Sequence, residues 1–233
     1  MMIYISFVLA VLPAILLVLY FQKKDSLKPE PPHMLWGAFG LGAISVIPAV
    51  IIGLIFESLE YSENIWISLF MQSFVTAALF EEVSKFAVFR IVIYKNKHFD
   101  EVTDGIIYMA IVSLGFACFE NVMYSVDDIF TGLLRAFTAV PGHAIWSGIM
   151  GYYIGRARFS KQSEFGLIFA GLFLGILYHG AYDFVLFTGT NEALSEDYSL
   201  IALLIIPILI LGVIHLHILL KKSKAIDKVM LGL

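Results

Sequence analysis

The chain has 233 residues, 60% of them hydrophobic and 15% charged, with a formal net charge of −4 and a mean hydropathy of +0.88. An average soluble domain carries roughly 25% charged residues, and a core of this size cannot hide so much apolar surface from water, so the chain is expected in a lipid bilayer. The single cysteine, Cys118, excludes an internal disulfide framework and any CxxC metal or redox site, and neither a soluble domain nor a nucleic-acid motif is seen.

The first apolar run, 3–21, has no basic leader before it and no small-residue cleavage site after it, so it reads as a retained helix. Further runs long enough to span follow at 34–56, 66–93, 105–125, 130–155, 165–187 and 198–220. The expectation is an all-α polytopic protein of seven transmembrane helices, forming one integral membrane domain over 1–233. The connections are short and polar, and Pro29, Pro31 and Pro32 stiffen the first of them. Pro13, Pro48, Pro141 and Pro207 fall inside predicted helices and are expected to kink them.

Charge sets the expected orientation. Lys23, Lys24, Lys28, Arg90, Lys95, Lys97, Arg156, Arg158, Lys161, Lys221, Lys222, Lys224 and Lys228 all fall on one side of a seven-helix arrangement. The opposite connections carry Glu57, Glu60, Glu63, Asp127, Asp128, Glu192, Glu196 and Asp197 and no base. The positive-inside rule then puts the N-terminus outside and the C-terminus in the cytoplasm.

The remaining ionisable groups lie within the runs. Glu81, Glu82 and Lys85 occupy the third, Glu120 with Asn121 the fourth, Arg135 and His143 the fifth, His179 and Asp183 the sixth. One acid or base at the bilayer centre costs about 2.5–3.5 kcal/mol, so these groups must face one another or a wet cavity. Lys85 follows Glu81 by four residues and Glu82 by three, and Asp183 follows His179 by four, so each set shares a helix face. The stripes His143–Ser147–Gly151–Gly155 and Gly171–Gly175–His179–Asp183 suggest that the fifth and sixth helices pack small residue against small residue, bringing the two histidines to one depth. At about 1.5 Å per residue, both histidines fall roughly 20 Å from the outer surface, with Glu120 slightly nearer to it. Arg135 is expected to snorkel toward the outer interface, His215 and His217 to be interfacial, and Cys118 to be a buried inert thiol.

Such a set can do chemistry. Lys85 keeps one glutamate ionised while another carboxylate exchanges a proton with water, and the histidines or Asn121 can stabilise an oxyanion. The same side chains could ligate zinc, with Glu82, Glu120, His143 and His179 as candidate ligands, although no HExxH motif is present. A purely structural salt bridge, a core histidine, or a supporting role for Asp183 behind His179 are the plainer readings. A rival function is a proton-coupled transporter or ion pathway, since intramembrane Glu and His also build proton relays; the absence of an internal repeat counts against it. A third is a non-catalytic membrane chaperone or sensor.

The residues also resemble a known family. Glu81-Glu82-Val-Ser-Lys85 is similar to the EExxK motif of the PrsW-type intramembrane proteases. The stretch from Asp104-Gly-Ile to Gly115-Phe-Ala-Cys-Phe-Glu120-Asn121 looks like their second motif, His143 with its following glycines the third, and His179-Gly-Ala-Tyr-Asp183 the fourth. The likeness covers nearly the whole chain. More distantly it resembles the CPBP/Abi glutamate proteases, which include CAAX-processing enzymes, with Glu120 where those have a histidine and Asp183 where they have an asparagine. The resemblance implies a protease of the bacterial cell membrane in which Glu81 or Glu82 activates water, with Glu120, His143 and His179 at the reaction centre and Lys85, Asn121 and Asp183 in support. It also implies the first, extracytoplasmic cut in a single-pass membrane anti-sigma factor, leading to an envelope-stress response. No cofactor is required for glutamate-activated water, and the departure at Glu120 leaves a zinc mechanism open.

Overall fold

A computed structural model describes residues 2–25, 27–57 and 61–233. Glu60, and the side chains of Glu57 and Asp127, counted above among the acidic loop residues, lie outside the described residues. The described chain is all-α, without a strand among the described residues.

α1 (Met2–Lys24) and α2 (Pro32–Glu57) run through Pro13 and Pro48 without a break in helical winding. A single continuous run then covers Ile65–Ile93. It opens as α3 (Ile65–Phe70), capped by the Asn64 side chain on the Trp66 and Ile67 amides. It loosens into a π-helical winding over Met71–Leu79, tightens into α4 (Phe80–Val88), and loosens again over Phe89–Ile93. Wide windings of this kind are rare and concentrate at functional sites; this one immediately precedes Glu81. α5 is Val102–Asp127, α6 Ile129–Phe137, α7 Ala139–Phe159 and α8 Glu164–Thr190; a 3-10 segment, Glu196–Leu204, leads into α9 (Ile205–Leu231).

Two boundaries differ from the sequence expectation, both at proline. The run expected at 130–155 is two helices that meet at Thr138, and the run expected at 198–220 is 3-10 before Ile205. Pro141 and Pro207 each sit in the first turn of the helix they begin, where a missing N–H costs nothing. These prolines therefore start helices instead of kinking them. α9 also runs on to Leu231, so Lys221, Lys222, Lys224 and Lys228 are helical.

Among the described residues, four helical stretches are long and apolar enough to cross a membrane: Pro32–Phe56, Val102–Ser125, Glu164–Thr190 and Glu196–Leu231. Large apolar side chains point away from the protein, among them Phe165, Ile91, Phe137, Leu200 and Leu54, as a lipid-facing surface requires. α5 is the opposite case. It is the central post, enclosed by α1, α2, α7 and α9, and its residues from Ile106 to Leu114 are fully buried. Its N-terminus is held from a distance of 124 residues or more, because Asp227 on α9 accepts from the Val102 amide at 2.7 Å and the Thr103 amide at 2.9 Å.

The small-residue stripes pack, but not against each other. A Cβ at Gly151 would lie 2.1 Å from the Gly105 carbonyl oxygen, and one at Gly155 would lie 2.4 Å from that of Val102, so the α7 stripe is spent on α5. The α8 stripe meets another side of α7, with Gly171 against Met150 and Tyr153. The reason is that α7 is buried almost all round and has two close neighbours to accommodate. Replacing Gly151 by Ala is therefore expected to destabilise the fold by about 1–3 kcal/mol, whereas Gly40→Ala, with nothing within 4 Å, should stay within about 0.5 kcal/mol. Denaturant titration of the purified protein in detergent measures both.

Candidate active site

The π-helical winding and α4 carry Glu81, Glu82 and Lys85 into the interior opposite α5, α7 and α8. Lys85 is the anchor. Its side chain is 0% exposed, with Nζ 2.7 Å from Glu82 Oε1, 3.5 Å from Glu81 Oε2 and 2.9 Å from His143 Nδ1, and 4.1 Å from the centroid of Phe116. The one-face spacing of Glu81, Glu82 and Lys85 is thus realised.

Glu82 is saturated. Its Oε1 also accepts from His179 Nδ1 at 3.0 Å, and its Oε2 accepts from the Ser147 hydroxyl at 2.7 Å. The side chain is 0% exposed. A Cβ at Gly175 would stand 2.9 Å from Met150 Cε and 3.7 Å, an ordinary contact distance, from Glu82 Oε2, so this glycine serves the approach of α8 to α7. Glu81 is different: 16% exposed, loosely attached to Lys85, and 3.8 Å from His179 Nε2.

His143 and His179 face each other with ring centroids 4.7 Å apart, at similar depth as expected. His179 stacks on Trp146, and its Nε2 lies 3.2 Å from Asp183 Oδ2, the orienting role anticipated for that aspartate. His143 Nε2 lies 2.9 Å from Glu120 Oε2. The other oxygen of Glu120 pairs with Arg135 at 2.7 Å. Arg135 is therefore turned inward and only 13% exposed, not snorkelling; a buried carboxylate one helix away offers it a better partner than the interface does. Asn121, by contrast, is not brought to the cluster. Its Nδ2 donates to the Gly132 carbonyl on α6 at 3.3 Å, so it serves the α5–α6 contact. Cys118 is buried, and His215 is half-buried with Nδ1 3.2 Å from the Tyr178 hydroxyl.

Arg135, Ser147 and Trp146 are site residues that spacing alone did not assign. Arg135 was visible as an unexplained charge within a helix. Ser147 stood in the small-residue stripe, and its hydroxyl turns out to matter more than its size.

A cavity of about 510 Å³ adjoins the cluster. Val46, Val50 and Leu54 of α2 wall it on one side, Gln72 and Thr76 of the π-helical winding on another, and Glu81 and Glu120 form its polar floor. Glu82 and Lys85 do not reach it.

Could these residues hold a metal? One donor atom each from Glu81, His143 and His179 lies within 4.8 Å of the others, and two imidazoles with one carboxylate are a donor set of the right kind for zinc. The hydrogen bonds argue otherwise. With the Lys85 ammonium on Nδ1, His143 carries its proton on Nε2 and donates it to Glu120, so neither nitrogen offers a lone pair. At most two donors remain, fewer than the three protein ligands of a catalytic zinc site. The arrangement does not fit a resident metal.

Removing one partner of a buried ion pair strands the other. Lys85→Met is thus expected to cost about 3–5 kcal/mol. Combining it with Glu82→Gln should cost less than the two single changes together by at least about 1 kcal/mol, read from the same denaturant titrations; strict additivity would show that the pair is not coupled.

A family model described as PrsW family intramembrane metalloprotease matches residues 30–212. The chain is 38% identical over 181 residues to "Protease PrsW" of Bacillus subtilis (strain 168), covering 77% of this chain and 81% of that protein. It is 36% identical over 177 residues to "Protease PrsW" of Geobacillus kaustophilus (strain HTA426), covering 76% and 77%, and 34% identical over 237 residues to "Protease PrsW" of Clostridioides difficile (strain 630), covering 97% and 94%. No solved structure matches the chain. A polar cluster walled into an apolar helical protein thus accompanies a family match over most of its length, and the chain belongs to the PrsW family of intramembrane proteases.

Proposed function

We propose that this protease hydrolyses a peptide bond of a single-pass membrane anti-sigma factor with water activated by Glu81. The observation that carries the assignment is the contrast between neighbouring glutamates. Glu82 is closed off and saturated by three donors, whereas Glu81 sits on the cavity floor with one oxygen unclaimed among the described residues. A general base needs a lone pair within reach of water.

In this reading Glu81 takes a proton as the water oxygen bonds to the scissile carbonyl carbon. The negative charge passes to the carbonyl oxygen, and an N–H of His179 facing Glu81 stabilises it. Glu81 then returns the proton to the amide nitrogen as the C–N bond breaks. Lys85 and Glu82 hold the stretch in place, Asp183 and Glu82 fix the His179 ring, and Arg135 and His143 fix Glu120, which borders the substrate. The cavity is large enough for a short extended segment, so the substrate helix must unwind locally to enter.

The finer parts of the reading concern topology and biology. Seven crossings of a bacterial plasma membrane in one integral domain, N-terminus outside and C-terminus in the cytoplasm, agree with the segregation of charge. The cavity wall reaches Tyr61, in the connection that this topology places outside, and Glu120 lies about two turns from the end of α5 on the same side. Both features suit a first cut on the extracytoplasmic side, which would start regulated proteolysis and a stress response as the family resemblance implies.

Reconstitution with a single-pass anti-sigma factor tests this. Glu81→Gln should lose about 10²–10⁴-fold in rate with unchanged thermal stability, and Asn121→Ala should stay within about threefold of the parent if it still folds. Metal-stripped protein should keep its rate in the presence of a strong chelator. Full activity in Glu81→Gln overturns the assignment, loss of activity on chelation that zinc reverses and neither calcium nor magnesium does restores a metal mechanism, and product termini on the cytoplasmic side refute the extracytoplasmic cut.

A further inference from the structure

A second polar cluster lies at the opposite end of α5, where the lysine-rich segments gather. Asp25 follows α1, Glu30 precedes α2, Asp100 and Glu101 precede α5, and Asp104 stands in its first turn. Asp25, Glu30, Glu101 and Asp104 are each 5% exposed or less. Asp227, also buried, is fully used in capping α5.

The other carboxylates are not used up. Asp104 Oδ2 accepts from the amides of Asp100 at 2.9 Å and Glu101 at 2.7 Å, and Asp25 Oδ2 accepts from the Glu30 amide at 2.6 Å. Glu30 takes the Tyr108 hydroxyl, and Asp100 pairs with Lys28. What remains is one oxygen each on Asp25, Asp100 and Asp104 and both oxygens of Glu101, all buried with no hydrogen-bond partner among the described residues. Glu101 is the decisive case: it is 1% exposed, its carboxylate faces the Asp104 amide in the α5 capping box, and neither oxygen reaches hydrogen-bonding geometry among the described residues. An unsatisfied buried carboxylate is among the costliest groups a fold can carry.

The oxygens converge. One from each of Asp25, Glu101 and Asp104 lies within 4.8 Å of the others, and a second set from Glu30, Asp100 and Asp104 does the same, sharing Asp104. Oxygens bound to one Ca²⁺ at about 2.3–2.6 Å stand up to about 5 Å apart. We propose that Asp25, Glu101 and Asp104 bind one hard divalent cation, Ca²⁺ or Mg²⁺, that ties the end of α1 to the start of α5. The donors are all carboxylate oxygens, with no histidine or cysteine among them, which suits a hard cation and not zinc. Positive charge is also in demand here. Burial, with the nearby acids, pushes Glu101 up to about 7, and burial pushes Glu30 up to about 7 despite the Tyr108 hydrogen bond. Lys28 and Lys224 supply the nearest protein cations, too few for this number of acids. Asp100 and Lys28 are partly exposed and form the route in.

The test uses the full chain, purified in detergent and treated with chelator, then titrated with magnesium chloride or calcium chloride while thermal unfolding and calorimetric binding are followed. The parent should show saturable binding and a rise in Tm of about 3 °C or more. Glu101→Gln should abolish both, with Asp25→Asn as the second variant where the first fails to fold. Glu81→Gln, altered only in the intramembrane site, should respond like the parent. No saturable response of the parent to either ion at millimolar concentration overturns the proposal. So does a response that survives Glu101→Gln or Asp25→Asn, or one lost in Glu81→Gln.

Discussion

A lysine ammonium with no exposure at all governs the interior of this protein. Lys85 cannot be solvated there, and an uncompensated charge in low dielectric would cost several kcal/mol. Its three nitrogen-bound protons are directed at Glu82, Glu81 and His143, so α4 and α7 must stay in register around it. Glu82 in turn gathers Ser147 from α7 and His179 from α8. Three separate segments are thus pinned by one ion pair.

That constraint divides the labour between two adjacent glutamates. Successive helix positions point about 100° apart, so when Glu82 turns to the buried lysine, Glu81 is carried round toward the cavity. In the proposed mechanism one carboxylate is structure and the other is chemistry. The π-helical winding just before Glu81 adds to this by offsetting the face that α3 began, so that Gln72 and Thr76 line the same cavity. The histidines inherit their roles from their partners: His143 is locked between Lys85 and Glu120, while His179 keeps an edge toward Glu81. α5 connects the two polar regions of the molecule, with the acidic cluster at its first turn and Glu120 near its last.

Much of this was legible in the sequence. Hydropathy marked where the chain is helical but not the break at Thr138, and the i, i+3 and i, i+4 spacings marked which of Glu81, Glu82, Lys85, His179 and Asp183 share a face, because helical geometry alone decides that. What escaped was whatever depends on a second helix. The α7 glycines could pack on either neighbour, and only the tertiary structure assigns them to α5. Arg135 looks interfacial until Glu120 is placed across from it, and Asn121 looks like a supporting residue of the site until its amide is seen donating to Gly132. The second acidic cluster is assembled from Asp25, Glu30, Asp100, Glu101, Asp104 and Asp227, a separation at which no local pattern exists. The proline-started helices were legible in principle, since Pro141 and Pro207 favour a first turn as readily as a kink.

The central claim is that Glu81, and not Glu82, meets the scissile bond. The most direct measurement is a structure of the Glu81→Gln protein holding an intact single-pass substrate. An extended substrate segment should lie in the cavity between α2 and α5, with a backbone carbonyl beside residue 81 and the His179 ring, and with Glu82 still bound to Lys85. A substrate carbonyl resting on Glu82, or a substrate bound outside this cavity, would contradict the account.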